Sequence, residues 1–237
     1  MPVQIEAMMT MTINKMDDKP KKEYLKPGQA VEILTLGTLV TKFVMPEELV
    51  NDINSAYETS KDLPAHNQEL AGKIKDEFKV TDILNDDIKN AFLMCFRQYL
   101  NIIQKPRWHC LLENAWINDM RANEYNPFHY HTSPLTDLGL SSVLVLKRPS
   151  TYGVEYSGEE HPSNGRLEFS GGQQDPLSIP QLSVDAQVGE IYIFPYTLLH
   201  GVYPFNGTDE IRRTLSYNCN LFKDAVVKQQ MDKNAKK

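Results

Sequence analysis

The chain has 237 residues, of which 41% are hydrophobic and 24% charged, and carries a formal net charge of −6. That is enough apolar material for one domain with a sizeable core, and an acidic balance without a long Lys/Arg block leaves no electrostatic footprint for nucleic acid or an anionic membrane surface. Cys95, Cys110 and Cys219 are odd in number and share no close spacing, which argues against a disulfide framework or a thiolate metal site and suits a reducing cytoplasm. The opening MPVQIEAMMTMTINK lacks the apolar stretch of a secretory signal, and no apolar run reaches membrane-spanning length.

Residues 1–28 mix Lys, Asp, Pro and Met without a period and read as a disordered arm. The stretch 31–45, VEILTLGTLVTKFVM, reads as extended structure interrupted near Gly37, and Pro46 opens a helix with Leu49, Ile53 and Tyr57 on one face. A second helix is expected over 66–78, where Leu70, Ile74 and Phe78 recur every fourth residue. A third runs from Thr81 to Ile103 on a stripe of Ile88, Phe92, Cys95, Tyr99 and Ile102.

From Pro106 onward, helical periods give way to short apolar runs separated by Pro, Gly, Asn and Ser. The expected strands are CLLENAWIND, SSVLVLKRP, GRLEFS, SVDAQ, EIYIFP, GVYPF and RRTLSYNCNLF, with Asn164-Gly165 and Asn206-Gly207 as turns. Their spacing favours a barrel or sandwich. The expected organisation is a single domain over 29–222, mainly helical support over 29–105 and β core over 106–222, followed by a charged tail, 223–237, frayed or disordered.

In NPFHYHTSP (126–134), His129 and His131 stand two residues apart. On an extended segment both imidazoles point to the same face and can meet at one point. Spacing alone is weak evidence, since such pairs are more often surface or hydrogen-bonded residues. His200, which follows the apolar strand EIYIFP, supplies a third imidazole and completes a set that leaves other metal positions open. His66, His109 and His161 lie outside this arrangement and read as structural or surface residues. In RRTLSYN, alternation puts Arg212, Thr214, Ser216 and Asn218 on one polar face, with Arg213, Leu215, Tyr217 and Cys219 on the other. A guanidinium beside a hydroxyl is well formed to bind a carboxylate.

With these residues assembled, AWINDMRANEYNPFHYH, the GRLEF strand and GEIYIFPYTLLHGVYPFNGTDEIRRTLSYN together resemble the iron(II)- and 2-oxoglutarate-dependent oxygenases. The resemblance is specifically to the prolyl-hydroxylase-like oxygenases of marine bacteria and their phages, and it covers roughly residues 110–222. It implies an α+β chain with a double-stranded β-helix, a jelly-roll or cupin-like barrel supported by N-terminal helices. It also implies Fe(II), 2-oxoglutarate as cosubstrate and O2. His129 and His200 would be metal ligands, and Arg212 with Thr214 would hold the distal carboxylate of 2-oxoglutarate.

The departure is in the middle ligand. Most of the superfamily has Asp or Glu two residues after the first histidine, whereas this chain has His131. Either three histidines serve, or Asp137 folds back as the carboxylate; period-two alternation favours His131. Asp137 could equally be a turn residue. The implied reaction couples decarboxylation of 2-oxoglutarate to succinate with hydroxylation of a substrate C–H bond, the substrate being a small molecule or a prolyl, other peptidyl or amino-acid side chain. Trp116, Asn118 and Asn126 are candidates to line the cavity, Tyr130 should face away, and the long loop 147–164 is a candidate flap. Two rivals stay open: a three-histidine cupin-like dioxygenase that needs no 2-oxoglutarate, and a non-catalytic metal-binding barrel. A homodimer is compatible with the composition.

Overall fold

A computed structural model of the chain describes residues 37–67, 72–155, 162–172 and 178–227. The chain divides into a unit Met1–Leu36, wholly outside the described residues, and a unit Gly37–Lys237, to which everything below belongs. The expected arm, the onset of the first strand, Leu70, His161 and most of the charged tail therefore lie outside the described residues.

Among the described residues, ten strands form in chain order: β1 Thr41–Val44, β2 Asp76–Lys79, β3 His109–Met120, β4 Asn126–His129, β5 Gly139–Lys147, β6 Leu167–Ser170, β7 Gln181–Val184, β8 Glu190–Pro195, β9 Leu199–Val202 and β10 Arg212–Phe222. Two helices among these residues, α1 Glu47–Thr59 and α2 Asp86–Ile102, precede most of the strands. The strands make a six-stranded sheet, β1-β8-β5-β10-β3-β2, and a four-stranded sheet, β4-β9-β6-β7, with every pairing antiparallel. This is the expected double-stranded β-helix, and of the two forms that the strand spacing allows, barrel or sandwich, its two facing antiparallel sheets do not close into a barrel.

Period-two alternation gives the large sheet two apolar faces. Leu144, Leu215, Ile117 and Ile191 fall in one register row and pack with Ile88, Phe92 and Phe96 of α2. On the other face, Val143, Val145, Tyr192 and Phe194 pack against Leu167 and Phe169 of the small sheet. The large sheet is covered by helices outside and by the second sheet inside, which explains why β5 reads as a continuous apolar run instead of alternating.

Three local differences from the sequence reading have physical causes. α2 starts later than Thr81 because Asn85 caps it, its side chain accepting from Ile88 N at 2.9 Å. Its buried face then runs through Phe96 and Leu100, leaving Cys95 half-buried and Ile102 exposed. Residues 76–79 form β2 rather than the end of a helix: Phe78 lies opposite Ile117, a non-local pairing that overrides a four-residue period carried by only three apolar side chains. The first half of the chain thus supplies both edge strands of the large sheet, β1 and β2, besides its helices.

The outward face of β10 also anchors α1. Arg213 makes a fork to Asp119, Nε–Oδ1 at 2.6 Å and Nη2–Oδ2 at 2.9 Å, while Nη1 donates to Asn54 Oδ1 at 3.0 Å and Glu58 Oε1 at 2.8 Å. Its guanidinium also lies 4.6 Å from the Tyr57 ring centroid. Arg213→Ala strands a buried Asp119 without its partner, and the expected loss is about 3 to 5 kcal/mol, read as a lowered urea midpoint with an unchanged slope.

Candidate metal centre

β4 and β9 pair so that His129 stands directly opposite His200, and Phe169 of β6 flanks His200 from the other side. His131 lies just beyond β4, its backbone N–H donating to Tyr196 O at 2.9 Å. Ring centroids are 4.3 Å apart for His129 and His200, 4.9 Å for His131 and His200, and 5.3 Å for His129 and His131. One nitrogen from each ring falls within 4.8 Å of the others.

Backbone carbonyls orient these rings. His129 Nδ1 is 2.8 Å from Pro127 O, and His200 Nδ1 is 2.9 Å from Leu198 O. A carbonyl only accepts, so in each ring the proton sits on Nδ1 and the Nε2 lone pair is left for a metal. His131 Nε2 lies 3.1 Å from His200 Nε2, close enough for two donors to one ion. Burial, with the neighbouring His129 adding, pushes His131 down to about 3. Burial and both neighbouring histidines hold His200 well below its ordinary value, and burial lowers His129. All three imidazoles are therefore neutral at physiological pH and need release no proton to bind a cation.

The walls are aromatic. Phe194 lies 4.4 Å from the His200 ring, while Trp116 and Tyr196 lie 5.8 and 6.0 Å from His131. A cavity of about 30 Å³ at the histidines is also bounded by Asn118, Asn126, Val143, Thr214 and Ser216. Tyr130, 60% exposed, points outward.

Arg212 begins the inward face of β10 and is buried, with Nη2 lacking any hydrogen-bond partner. Burial lowers its pKa from the ordinary value, partly offset by a hydrogen bond from the guanidinium to the Tyr152 hydroxyl. Tyr152 is itself fixed by Phe205 at 5.6 Å and by the Arg148 guanidinium at 4.9 Å. The described part of loop 147–164 is stitched to the β9–β10 connection, Asn206 N donating to Tyr152 O at 3.2 Å and Val154 N to Asn206 Oδ1 at 3.0 Å. Asp137 is exposed and stands apart from the three-histidine group, and its neighbours Thr136 and Leu138 are bonded to Leu221 at the far end of β10. His66 packs edge-on to Trp116 at 5.3 Å, and exposed His109 pairs with Asp224 at 3.0 Å.

Tyr152, Tyr196 and Phe194 complete the site without having been singled out in the sequence, and Ser216 joins it from the polar face of β10. Tyr196 was findable in EIYIFPY, directly after the strand that leads to His200. Tyr152 reaches Arg212 from 60 residues earlier in the chain, with no local signal to announce it. The donor set fits divalent iron: three neutral imidazoles suit that ion, and an unpaired, buried guanidinium nitrogen suits one carboxylate of a dicarboxylic acid.

Residues 114–218 match the family profile described as “Putative 2OG-Fe(II) oxygenase”. No curated protein matches the sequence. Among solved structures, the chain is similar to a prolyl-4-hydroxylase from Pseudomonas putida, at 14% identity over 78% of this chain and 92% of that one, with a TM-score of 0.50. It is similar to a prolyl hydroxylase from Trichoplax adhaerens in complex with a hypoxia inducible factor oxygen degradation domain peptide, at 8% identity over 78% and 83%, with a TM-score of 0.52. A third is EvdO2 from Micromonospora carbonacea var. aurantiaca complexed with 2-oxoglutarate, at 13% identity over 78% and 87%, with a TM-score of 0.50. At these identities the likeness establishes the fold.

Proposed function

We propose, from the match of residues 114–218 to the 2OG-Fe(II) oxygenase family, that His129, His131 and His200 hold the iron while Arg212 and Thr214 hold the distal carboxylate of 2-oxoglutarate. The observation that carries this assignment is the convergence of one nitrogen from each of three neutral imidazoles at a cavity that Thr214 also lines, two residues along β10 from Arg212, whose Nη2 is unpartnered. Bound together, iron, 2-oxoglutarate and O2 supply oxidative decarboxylation to succinate and carbon dioxide, and with it the power to hydroxylate a C–H bond.

The chain's own residues position and shield these reactants. The Pro127 and Leu198 carbonyls keep two imidazoles in the metal-binding tautomer. Tyr152 holds the guanidinium, and Trp116, Phe194 and Tyr196 keep water away from the histidines. Three neutral ligands leave the iron one unit more positive than two histidines and a carboxylate would, which strengthens its hold on the anionic cosubstrate. Asp137 is the weaker alternative, because it lies outside the histidine group.

The substrate we propose is a peptidyl or amino-acid side chain. The peptide held by the Trichoplax enzyme of the same fold supports that class, and likeness of fold is an analogy, not a chemical match. The compartment we propose is the cytoplasm. Cys95, Cys110 and Cys219 are free thiols, which a reducing compartment preserves, and among the described residues no helix is long and apolar enough to cross a membrane.

An anaerobic titration of the apo-protein with Fe(II) and then 2-oxoglutarate tests the assignment through the visible charge-transfer band of the chelate. The band is expected with the wild type. Arg212→Ala should keep the iron and weaken 2-oxoglutarate by ~10- to 150-fold, the ~1.5 to 3 kcal/mol of a hydrogen bond to a charged group. Iron binding with no band in the wild type would instead favour the three-histidine dioxygenase or the non-catalytic barrel.

A further inference from the structure

Glu77 breaks an ordinary rule of protein interiors. It lies on β2 at the edge of the large sheet and is 2% exposed, yet its Oε1 has no hydrogen-bond partner. A carboxylate is almost never buried so fully without being paired, because an unmet acceptor forfeits its hydration. Glu77 stands opposite Asn118 in the β2–β3 register, so their side chains share the inward face of the sheet. Asn118 and Asn126 both line the metal cavity, and each leaves its Oδ1 buried and unpartnered. The chain leading into β2 is tied to the approach to β4, Lys73 N donating to Tyr125 O at 3.0 Å and Lys75 N to Glu124 Oε1 at 3.2 Å. Two of the three unmet acceptors thus line the site, and the third, Glu77, stands beside Asn118 across the β2–β3 ladder.

All three deficits are acceptors, so the missing partner is a donor with several hydrogens. The cosubstrate cannot supply it, because 2-oxoglutarate presents only acceptor oxygens and has Arg212 for its distal end. The side chains lining the cavity supply no positive charge, their histidines being neutral. Resting on the oxygenase reading above, we propose that Glu77, Asn118 and Asn126 form the subsite for a positively charged nitrogen, an ammonium or guanidinium, carried by the substrate that is hydroxylated. Burial, with a smaller contribution from the charge of Glu124, pushes the Glu77 carboxyl up to about 7, a penalty that an incoming cation removes. The substrate is then an amino-acid or peptidyl side chain with a basic nitrogen near the oxidised carbon.

The test uses the full-length chain, with Trp108→Phe so that Trp116 at the cavity is the reporting fluorophore. Loaded anaerobically with Fe(II) and 2-oxoglutarate, it is titrated with n-butylammonium and n-butylguanidinium, and with n-butanol as their neutral counterpart. Both cations are expected to change Trp116 fluorescence saturably and to bind at least tenfold tighter than n-butanol. In Glu77→Gln, which keeps the side-chain shape, that preference should disappear while the charge-transfer band is unchanged. Cations that bind no tighter than n-butanol, or a Glu77→Gln protein with the wild-type preference, overturn the proposal. The comparison of cation with alcohol in the wild type stands even if the variant fails to fold. Failure of the band to form counts against the oxygenase reading, whereas the same titrations on the metal-free protein still report on the subsite.

Discussion

His200→Ala is expected to leave a folded protein that no longer holds iron. Of the three imidazoles, His200 is the one in closest contact with both others, with ring centroids at 4.3 and 4.9 Å, and only its position on β9 brings β4 and the β8–β9 turn to one point. Its Nδ1 is fixed by Leu198 O at 2.9 Å, so Nε2 is aimed before any ion arrives. Removing one of three neutral ligands leaves a two-donor site that solvent competes with freely, and the expected fall in iron affinity is at least 100-fold, with turnover of 2-oxoglutarate lost to background. Equilibrium dialysis against Fe(II) measures the first and succinate formation the second. Asp137→Ala serves as the counterpart: an exposed side chain outside the histidine group should leave iron binding as it was. If Asp137→Ala releases the metal and His131→Ala does not, the carboxylate reading displaces the three-histidine one.

The contrast between those residues shows what a sequence exposes and what it hides. His129 and His131 were legible because period-two alternation is a local rule, and β4 obeys it up to His129. His200 was legible because an apolar run, EIYIFP, announces the strand before it. Arg212 and Arg213 could be assigned to opposite faces of β10 by the same rule, and they lie as alternation requires, Arg212 buried on the face whose Thr214 and Ser216 line the cavity and Arg213 in the Asp119 fork. What stayed hidden depends on distant partners. Phe78 looked helical because its pairing with Ile117 is 39 residues away in sequence. Glu77 gave no signal, because a glutamate in a short segment is a surface residue until the sheet that buries it is known. Tyr152 joins Arg212 through a loop whose length suggested a flap, and only the bonds to Asn206 show its described part docked in place. The strands were found by pattern, but whether two sheets close into a barrel depends on edges that pattern does not specify.

Gly139→Ala should damage both fold and site, and the reason is space rather than backbone conformation. A Cβ at Gly139 would lie inside the contact distance of three atoms of the Tyr196 ring. Tyr196 cannot yield easily: it is 1% exposed, its hydroxyl donates to Asn220 Oδ1 at 3.2 Å, and its backbone N–H donates to Gly139 O at 3.0 Å. Its carbonyl in turn receives the His131 N–H at 2.9 Å, so any retreat of Tyr196 carries His131 with it. Overpacking in a close-packed interior costs about 1 to 3 kcal/mol, occasionally more, and with the ring held at both ends the expected loss lies at or above the top of that range. Urea unfolding reads this cost, and the iron titration reads the displacement of His131. Truncating the obstacle separates the steric account from a general intolerance of β5: Gly139→Ala combined with Tyr196→Ala should lose less than the sum of the two single variants, a coupling of the sign expected for residues in contact. Strict additivity of the two losses would mean that Gly139 matters for some reason other than the ring it faces.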